Sequence, residues 1–450
     1  DCCDTGEVLP NGDPECTLRA AIEAVNAGCD GVVEFNVPGT AVPRIAPATP
    51  LPTITRPVVL DATTQPGGGK VELVGSNLSG AVGLDVAGGN SVVRGFLFNE
   101  FSDSDEVPLL LREKGGNRVA GNHFGTDATG NEVRPSAFGL WISGSPNNVI
   151  GGAAEDDANV FNGERSMIFI SGAGATGNRV QGNLIGLGKS GLSLSTPQLG
   201  VLVTGGANNT IGGPGPLGNR IVSKQAGIRV EATEPIDGLL LEGNQIGLDA
   251  AGTPVNGTIG IMVRSEGGPA VTGARIIGNR VAGYSADIVV AGKDAKDTVV
   301  ENNVTGLRFD GSGLTPAGLD ADKDYFGIRV DGAPGTKVIG NTAAGHTYDL
   351  LVAGNEQFYS FGESIVLLSP DTSSEGPEPG AAAGGVVVEG NRVGLNEVGS
   401  VPAGAVPLIG IAVFAAAESV TLRNNVVAGH TEKELWLVDG SGHTVAGNRL

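Results

Sequence analysis

The residues best placed to do chemistry are Asp320, Asp322 and Asp324, three carboxylates at alternate positions in the run Asp320-Ala321-Asp322-Lys323-Asp324. Hard divalent cations take oxygen ligands, so acids converging from one loop predict a Ca²⁺ site there. The run lacks the Gly and distal Glu that complete a helix-flanked calcium loop. Asp103-Ser104-Asp105-Glu106 and Glu155-Asp156-Asp157 are similar runs, and their plainer reading is a solvated loop. The chain has four histidines. His346 and His430 share one repeat position, in Ala344-Gly345-His346-Thr347 and Ala428-Gly429-His430-Thr431, where a third copy carries Tyr284. A position that takes Tyr or His reads as a corner residue rather than a general base. His123 and His443 are isolated. Lyase or hydrolase chemistry on a polysaccharide would need carboxylates and basic residues converging on one face. The sequence brings no such set together, so no catalytic residue is assigned.

The four cysteines, Cys2, Cys3, Cys16 and Cys29, all lie in the first 29 residues. Such a cluster reads as a local disulfide staple made in an oxidising compartment, with three pairings open. A zinc knot is the weaker alternative, because Cys2 and Cys3 are vicinal and no His occurs in the first hundred residues. Net charge is −21 with 28 basic residues. That balance argues against nucleic acid and against anionic membrane surfaces, both of which recruit basic patches. No apolar run is long enough to span a bilayer, so no membrane insertion is expected. The chain starts without Met in a Cys-rich segment, which reads as a processed or truncated start.

What could position any of these residues is a repeat. Gly-Asn motifs recur at Asn122, Asn183, Asn244 and Asn303, with steps of 61, 61 and 59, and at Asn219, Asn279 and Asn341, with steps of 60 and 62. Between them lie segments of a small residue followed by apolar-x-apolar, opening at Gly200, Gly227, Gly260 and Asp287 with steps of 27, 33 and 27. The unit is therefore a pair of coils of about thirty residues each. Strands of four or five residues cannot pair within a coil and must pair with the coils above and below. With 75 Gly and 4% aromatics against 40% apolar residues, the composition fits a stack of short strands with Gly and Asn corners. Stacked Asn side chains can form hydrogen-bonded ladders, so these positions are read as structural. The predicted fold is all-β: a single-stranded right-handed parallel β-helix over residues 31–450, preceded by a disulfide-rich segment and capping helix over 1–30. The helix is expected at Leu18 to Val25, with Thr17 as N-cap, Gly28 as stop, and Leu18, Ala21, Ile22 and Val25 on its buried face.

Two further features point to recognition. The middle residue of each apolar-x-apolar segment should point outward, giving Asp85, Trp141, Phe169, Leu202, Arg229, Met262, Val289, Arg329, Leu351, Ala412 and Trp436. Outward rows are normally polar, and this one is mostly not. It is either covered by the chain's own loops or a contact face, with Trp141, Phe169, Leu202, Met262, Leu351 and Trp436 as its apolar members. The repeat also breaks once: Asn303 to Asn391 is 88 residues and Asn341 to Asn425 is 84. About 25 residues are thus added between about Asn355 and Gly385, an insertion that reads either as a further coil with a protruding loop or as a plain insertion. Phe358, Tyr359 and Phe361 in this stretch are candidates for loop recognition.

Cys16-Thr17-Leu18-Arg19-Ala20-Ala21-Ile22 followed by Asn26 resembles the CSLREA motif that opens many bacterial secreted right-handed β-helix proteins, departing from it at Ala20, where Glu is usual. Val33 to Gly39, Leu51-Pro52-Thr53-Ile54-Thr55, Asp61 to Gly67 and Gly121 to Gly130 extend the resemblance over nearly the whole chain. It implies an extracellular or cell-surface location and carries over no catalytic set. The sequence thus predicts a non-enzymatic surface protein acting in adhesion or self-assembly, with itself or surface glycans as partners. A polysaccharide lyase or glycoside hydrolase is the alternative, with Asp320, Asp322 and Asp324 holding Ca²⁺ near a sugar groove.

Overall fold

A computed structural model describes residues 16–39, 41–78, 80–103, 106–134, 136–314, 325–354, 358–361, 364–367, 384–403, 407–414, 417–438 and 440–450, with backbone alone at 358–361 and 364–367. Its strands are two to eight residues long. Apart from one hairpin, none can satisfy its backbone within its own coil, and each finds its partners one coil away. Three long parallel sheets result, of 14, 13 and 12 strands. Sheet one runs from Val32–Glu34 to Thr444–Ala446, sheet two from Arg44–Ile45 to Val426–Val427, and sheet three from Val82–Val86 to Lys433–Leu437. From the second turn on the chain visits them in that order, with residues of equal phase in register, as in Ile150↔Val180 and Val201↔Ile228. This is the right-handed parallel β-helix expected from the repeat.

Inward side chains stack into one continuous core. Beneath sheet two the row is Leu73, Phe98, Phe124, Phe161, Ile185, Ile221, Ile246 and Val281, all buried. Its phenyl rings lie nearly parallel, 4.7 Å apart for Phe98 and Phe124 and 4.5 Å for Phe124 and Phe161. The corner between sheets one and two is held by amides. Asn122, Asn159, Asn183, Asn219, Asn244, Asn279, Asn303, Asn341, Asn391, Asn425 and Asn448 form an unbroken ladder, each Nδ2 donating to the next Oδ1 at 2.9–3.0 Å. The two Asn series of the sequence are therefore alternate rungs of a single ladder. A second, shorter ladder (Asn117, Asn148, Asn178, Asn209) holds the corner before sheet one.

The helix spans Leu18–Ala27, with the Thr17 hydroxyl accepting from the Ala20 N–H at 3.2 Å and Gly28 at φ 111° ending it. Leu18, Ile22 and Val25 join the β-helix core, so the helix closes its first coil. Two residues of the motif fasten it there. Arg19 donates to the carbonyls of Thr49 and Pro50, and Asn26 bridges Thr53 and Thr55. The break in the repeat is not an additional coil. Tyr348–Ala353 pairs directly with Ile409–Phe414, and Asn341 with Asn391, so the added residues leave and re-enter between adjacent coils. Within them, Phe358–Phe361 and Ser364–Leu367 form an antiparallel hairpin.

Candidate functional site

Sheet three carries the outward row, and its two halves differ. At Asp85, Leu110, Trp141, Phe169 and Leu202 the row is half-exposed, whereas from Arg229 through Met262, Val289, Arg329 and Leu351 to Ala412 it is buried. Met262 and Leu351 have 0% of their surface exposed. With only this chain present, the chain itself covers them. Met262 and Leu351 are thus removed from the exposed apolar face expected of the row, because both are fully buried. They belong to an outer apolar cluster with Leu199, Ile259, Val289, Phe326, Tyr348 and Phe414. Trp436 packs against its edge, edge-on to Phe414 at 4.9 Å.

The open half is a strip along the axis. Trp141 and Phe169, on adjacent coils, stack at 5.3 Å between centroids, and the indole Nε1 donates to Ser171 Oγ at 2.7 Å, which fixes the ring. One end of the strip is polar. Arg112 grips the Asp85 carboxylate with Nε at 2.7 Å and Nη2 at 3.0 Å, and Thr53 donates to the same carboxylate at 2.7 Å. Beyond Leu202, Arg229 and Arg264 share the Glu231 carboxylate. The strip therefore presents two aromatic side chains flanked by fixed charges, an arrangement suited to binding a ligand with apolar faces and polar edges.

The histidines do sit at corners, but not inertly. His346 Nε2 lies 3.0 Å from Asp287 Oδ2 and its Nδ1 3.0 Å from Asp349 Oδ1. His430 Nε2 lies 2.9 Å from Asp349 Oδ2, and its Nδ1 contacts Glu434. Both imidazoles are buried, so they are not bases for a surface substrate. The sequence signal was an acid, at Asp287 and Asp349, at a strand position where most coils have Gly. His123 is buried under the loop that follows sheet two and bonds the Asp127 carbonyl at 3.0 Å. Burial, with the nearby Lys70 ammonium, pushes its pKa down to about 4. Lys70 is itself pushed down to about 8 by burial and by Lys189, while donating to the Gly121 carbonyl at 2.7 Å.

Asp320, Asp322 and Asp324 lie outside the described residues, as do Cys2 and Cys3 and the side chains of Phe358, Tyr359 and Phe361. Among the described residues no group of three or more acids, histidines or cysteines is placed to hold a metal ion. Neither Cys16 nor Cys29 is a free thiol. No described helix is long and apolar enough to cross a membrane.

No family model matches the chain, and no curated protein does. Among solved structures it is similar to the A-module of a mannuronan C-5 epimerase from Azotobacter vinelandii, at 13% identity and a TM-score of 0.43 over 96% of this chain and 93% of that one. A periplasmic alginate epimerase gives 10% and 0.41 over 92% and 84%, and tailspike protein 3 of bacteriophage CBA120 gives 9% and 0.37 over 95% and 54%.

Proposed function

We propose that the chain is an extracellular, polysaccharide-directed β-helix that takes a neutral glycan along the open half of sheet three. Trp141 and Phe169 serve as the apolar platform, and Arg112, held by Asp85, serves as the polar contact. The observation that carries this reading is the strip itself, which stays half-exposed at Asp85, Leu110, Trp141, Phe169 and Leu202 while the later coils are closed over. Five coils spaced by about 4.8 Å offer on the order of 20 Å of straight surface, long enough for several sugar rings. Sugars present apolar faces to aromatic rings and hydroxyls to charged groups. The net charge of −21 favours a neutral chain over a polyanion. The proposal rests on the strip and not on fold likeness, which is weak support for chemistry. Adhesion to a glycan surface fits it, whereas assembly through the whole outward row does not, because Met262 and Leu351 are covered.

Turnover is the second reading. Asp85, Arg112 and Thr53 bring a carboxylate, a guanidinium and a hydroxyl together beside the aromatic pair. The test is retention of the full chain on a panel of polysaccharides, alongside Trp141→Ala and Arg112→Ala. We expect Trp141→Ala to weaken binding at least tenfold, corresponding to about 1.4 kcal/mol, with little change in melting temperature. If the wild type binds no polysaccharide, or Trp141→Ala binds equally well, the reading is wrong. Assaying the same mixtures for new reducing ends and unsaturated sugars separates binding from turnover.

A further inference from the structure

Inside the last coils, Asp287, His346, Asp349, His430 and Glu434 form one line of alternating acids and imidazoles along the axis. The register explains how so much charge fits. Gly260, Asp287, Gly327, Asp349, Gly410 and Glu434 occupy one row of sheet three, in which glycine and acid alternate coil by coil. Each imidazole reaches from an acid-bearing coil, across a glycine coil, to the acid beyond. A methyl on Gly327 would lie 2.9 Å from His346 Nδ1, and one on Gly410 3.0 Å from His430 Cε1. Glycine is needed at both because the carbonyl of the next coil, 2.5 Å from the Gly327 position and 2.4 Å from the Gly410 position, and the imidazole together take the space. Each ring therefore ties together three coils, and Asp349, bonded through both oxygens, ties the two rings together.

We propose that the line Asp287, His346, Asp349, His430, Glu434 is a proton-operated latch, which holds these coils together while both imidazoles carry a proton and lets them loosen when the protons leave. The carboxylates facing the two rings are Asp287, Asp349 and Glu434. At the far end Asp287 accepts from the N–H of Gly306 at 2.8 Å and of Tyr284 at 3.4 Å, and the Tyr284 hydroxyl pairs with Ser223 at 3.1 Å. Glycines 306, 327, 394 and 410 pack against the rings. With both rings protonated, two cations face three anions. With both neutral, three carboxylates, Asp287 and Asp349 fully buried and Glu434 partly exposed, crowd together with nothing to balance them, which is strongly unfavourable for the buried two.

Burial by itself disfavours the imidazolium, but the two carboxylates around each ring outweigh it. His346 is pushed up to about 9 and His430 in the same direction, while burial holds Asp287 above its ordinary range. A folded-state pKa above the unfolded 6.5 means the stabilisation is complete below pH 6.5 and is lost as pH rises through about 9.

Because the chain has four histidines, ring resonances of the full chain labelled in histidine can be followed individually and assigned with His346→Gln and His430→Gln. His346 is expected to titrate near pH 9, and His430 above 6.5. Melting temperature should fall between pH 7 and 10 in the wild type. It should fall distinctly less in Asp287→Asn/His346→Gln, in which neutral amides replace the first pair. Rings that titrate near 6.5, or melting profiles whose pH dependence is the same in the wild type and the double variant, would overturn the latch. If the double variant does not fold, the wild-type ring titration still decides.

Discussion

In the coils before Leu202 the outer side of sheet three meets solvent, and the core beneath sheet two begins with stacked phenyl rings. From Arg229 to Ala412 the outward row is buried, and the inward position of sheet two has shrunk to Val281, Thr305, Ala343 and Val393. The backbone course is the same in both regions, as the unbroken Asn ladder shows. The comparison teaches that coil geometry decides which side chains share a row but not what the row is for. An early coil has one dry side of sheet three, and a late coil has two. Strands dry on both sides should read as continuous apolar runs rather than alternating ones. Burial follows that division, with Tyr284–Ala291 and Tyr348–Ala353 buried at nearly every position and Leu140–Ser143 alternating between buried and half-exposed, although the residue types do not, since the two late strands carry Asp287 and Asp349.

The sharpest way to break the comparison is one substitution in the two halves of the same row. Met262→Lys places an unpaired ammonium at a fully buried position and should cost on the order of 4 kcal/mol or more. Leu202→Lys, two coils earlier and half-exposed, can send its ammonium to water and should cost within about 1 kcal/mol. Chemical denaturation of both variants checks this. Equal losses would mean that the two halves are not differently covered.

A second contrast lies under sheet two. Phe124 fills its rung between Phe98 and Phe161, so Phe124→Ala opens a cavity in a stack and should cost about 3–5 kcal/mol. Val393→Ala at the same phase removes two methyl groups and should cost about 2 kcal/mol. In a solenoid whose stability is summed over neighbouring coils, these losses are local. Hydrogen exchange should therefore place the first near residues 96–161 and the second near 341–427.

Much of this architecture was legible in the sequence because periodicity reports directly on spatial phase. Asn183 and Asn244, Gly200 and Gly227, and the Thr17 and Gly28 ends of the helix needed only spacing and local propensity. What lies over a row is different, since the covering of Met262 is a tertiary event that leaves no periodic trace at Met262 itself. The break after Asn341 was open to two readings because an extra coil and an excursion within a coil lengthen the interval alike. The acid and imidazole line was hidden for another reason. In the sequence Asp287 takes the opening position that Gly260 takes one coil earlier, and the two acids that pair with His346 lie 3 and 59 positions from it. Reading Asp287 and Asp349 against the glycines of their row, together with His346, would have exposed a buried pair.

The smallest expected effects differ in sign between the two regions, and they concern the corner before sheet one. In the early coils that corner is the short amide ladder, where the Asn178 side chain accepts from Asn148 at 2.7 Å and donates to Asn209 at 3.1 Å. Asn178→Ala strands a buried amide on one side and a buried carbonyl on the other, and should cost about 1–3 kcal/mol. In the late coils the same phase holds Leu239, Ala274 and Thr298, and the buried Thr298 hydroxyl has no hydrogen-bond partner among the described residues. Thr298→Val keeps the shape and removes the stranded hydroxyl, so it should be neutral or stabilise by up to about 1 kcal/mol. Urea midpoints of the two variants, measured together, check both signs. A loss at Thr298 comparable to that at Asn178 would mean that the late corner also depends on polar pairing, and that the amide ladder is not what distinguishes the early coils.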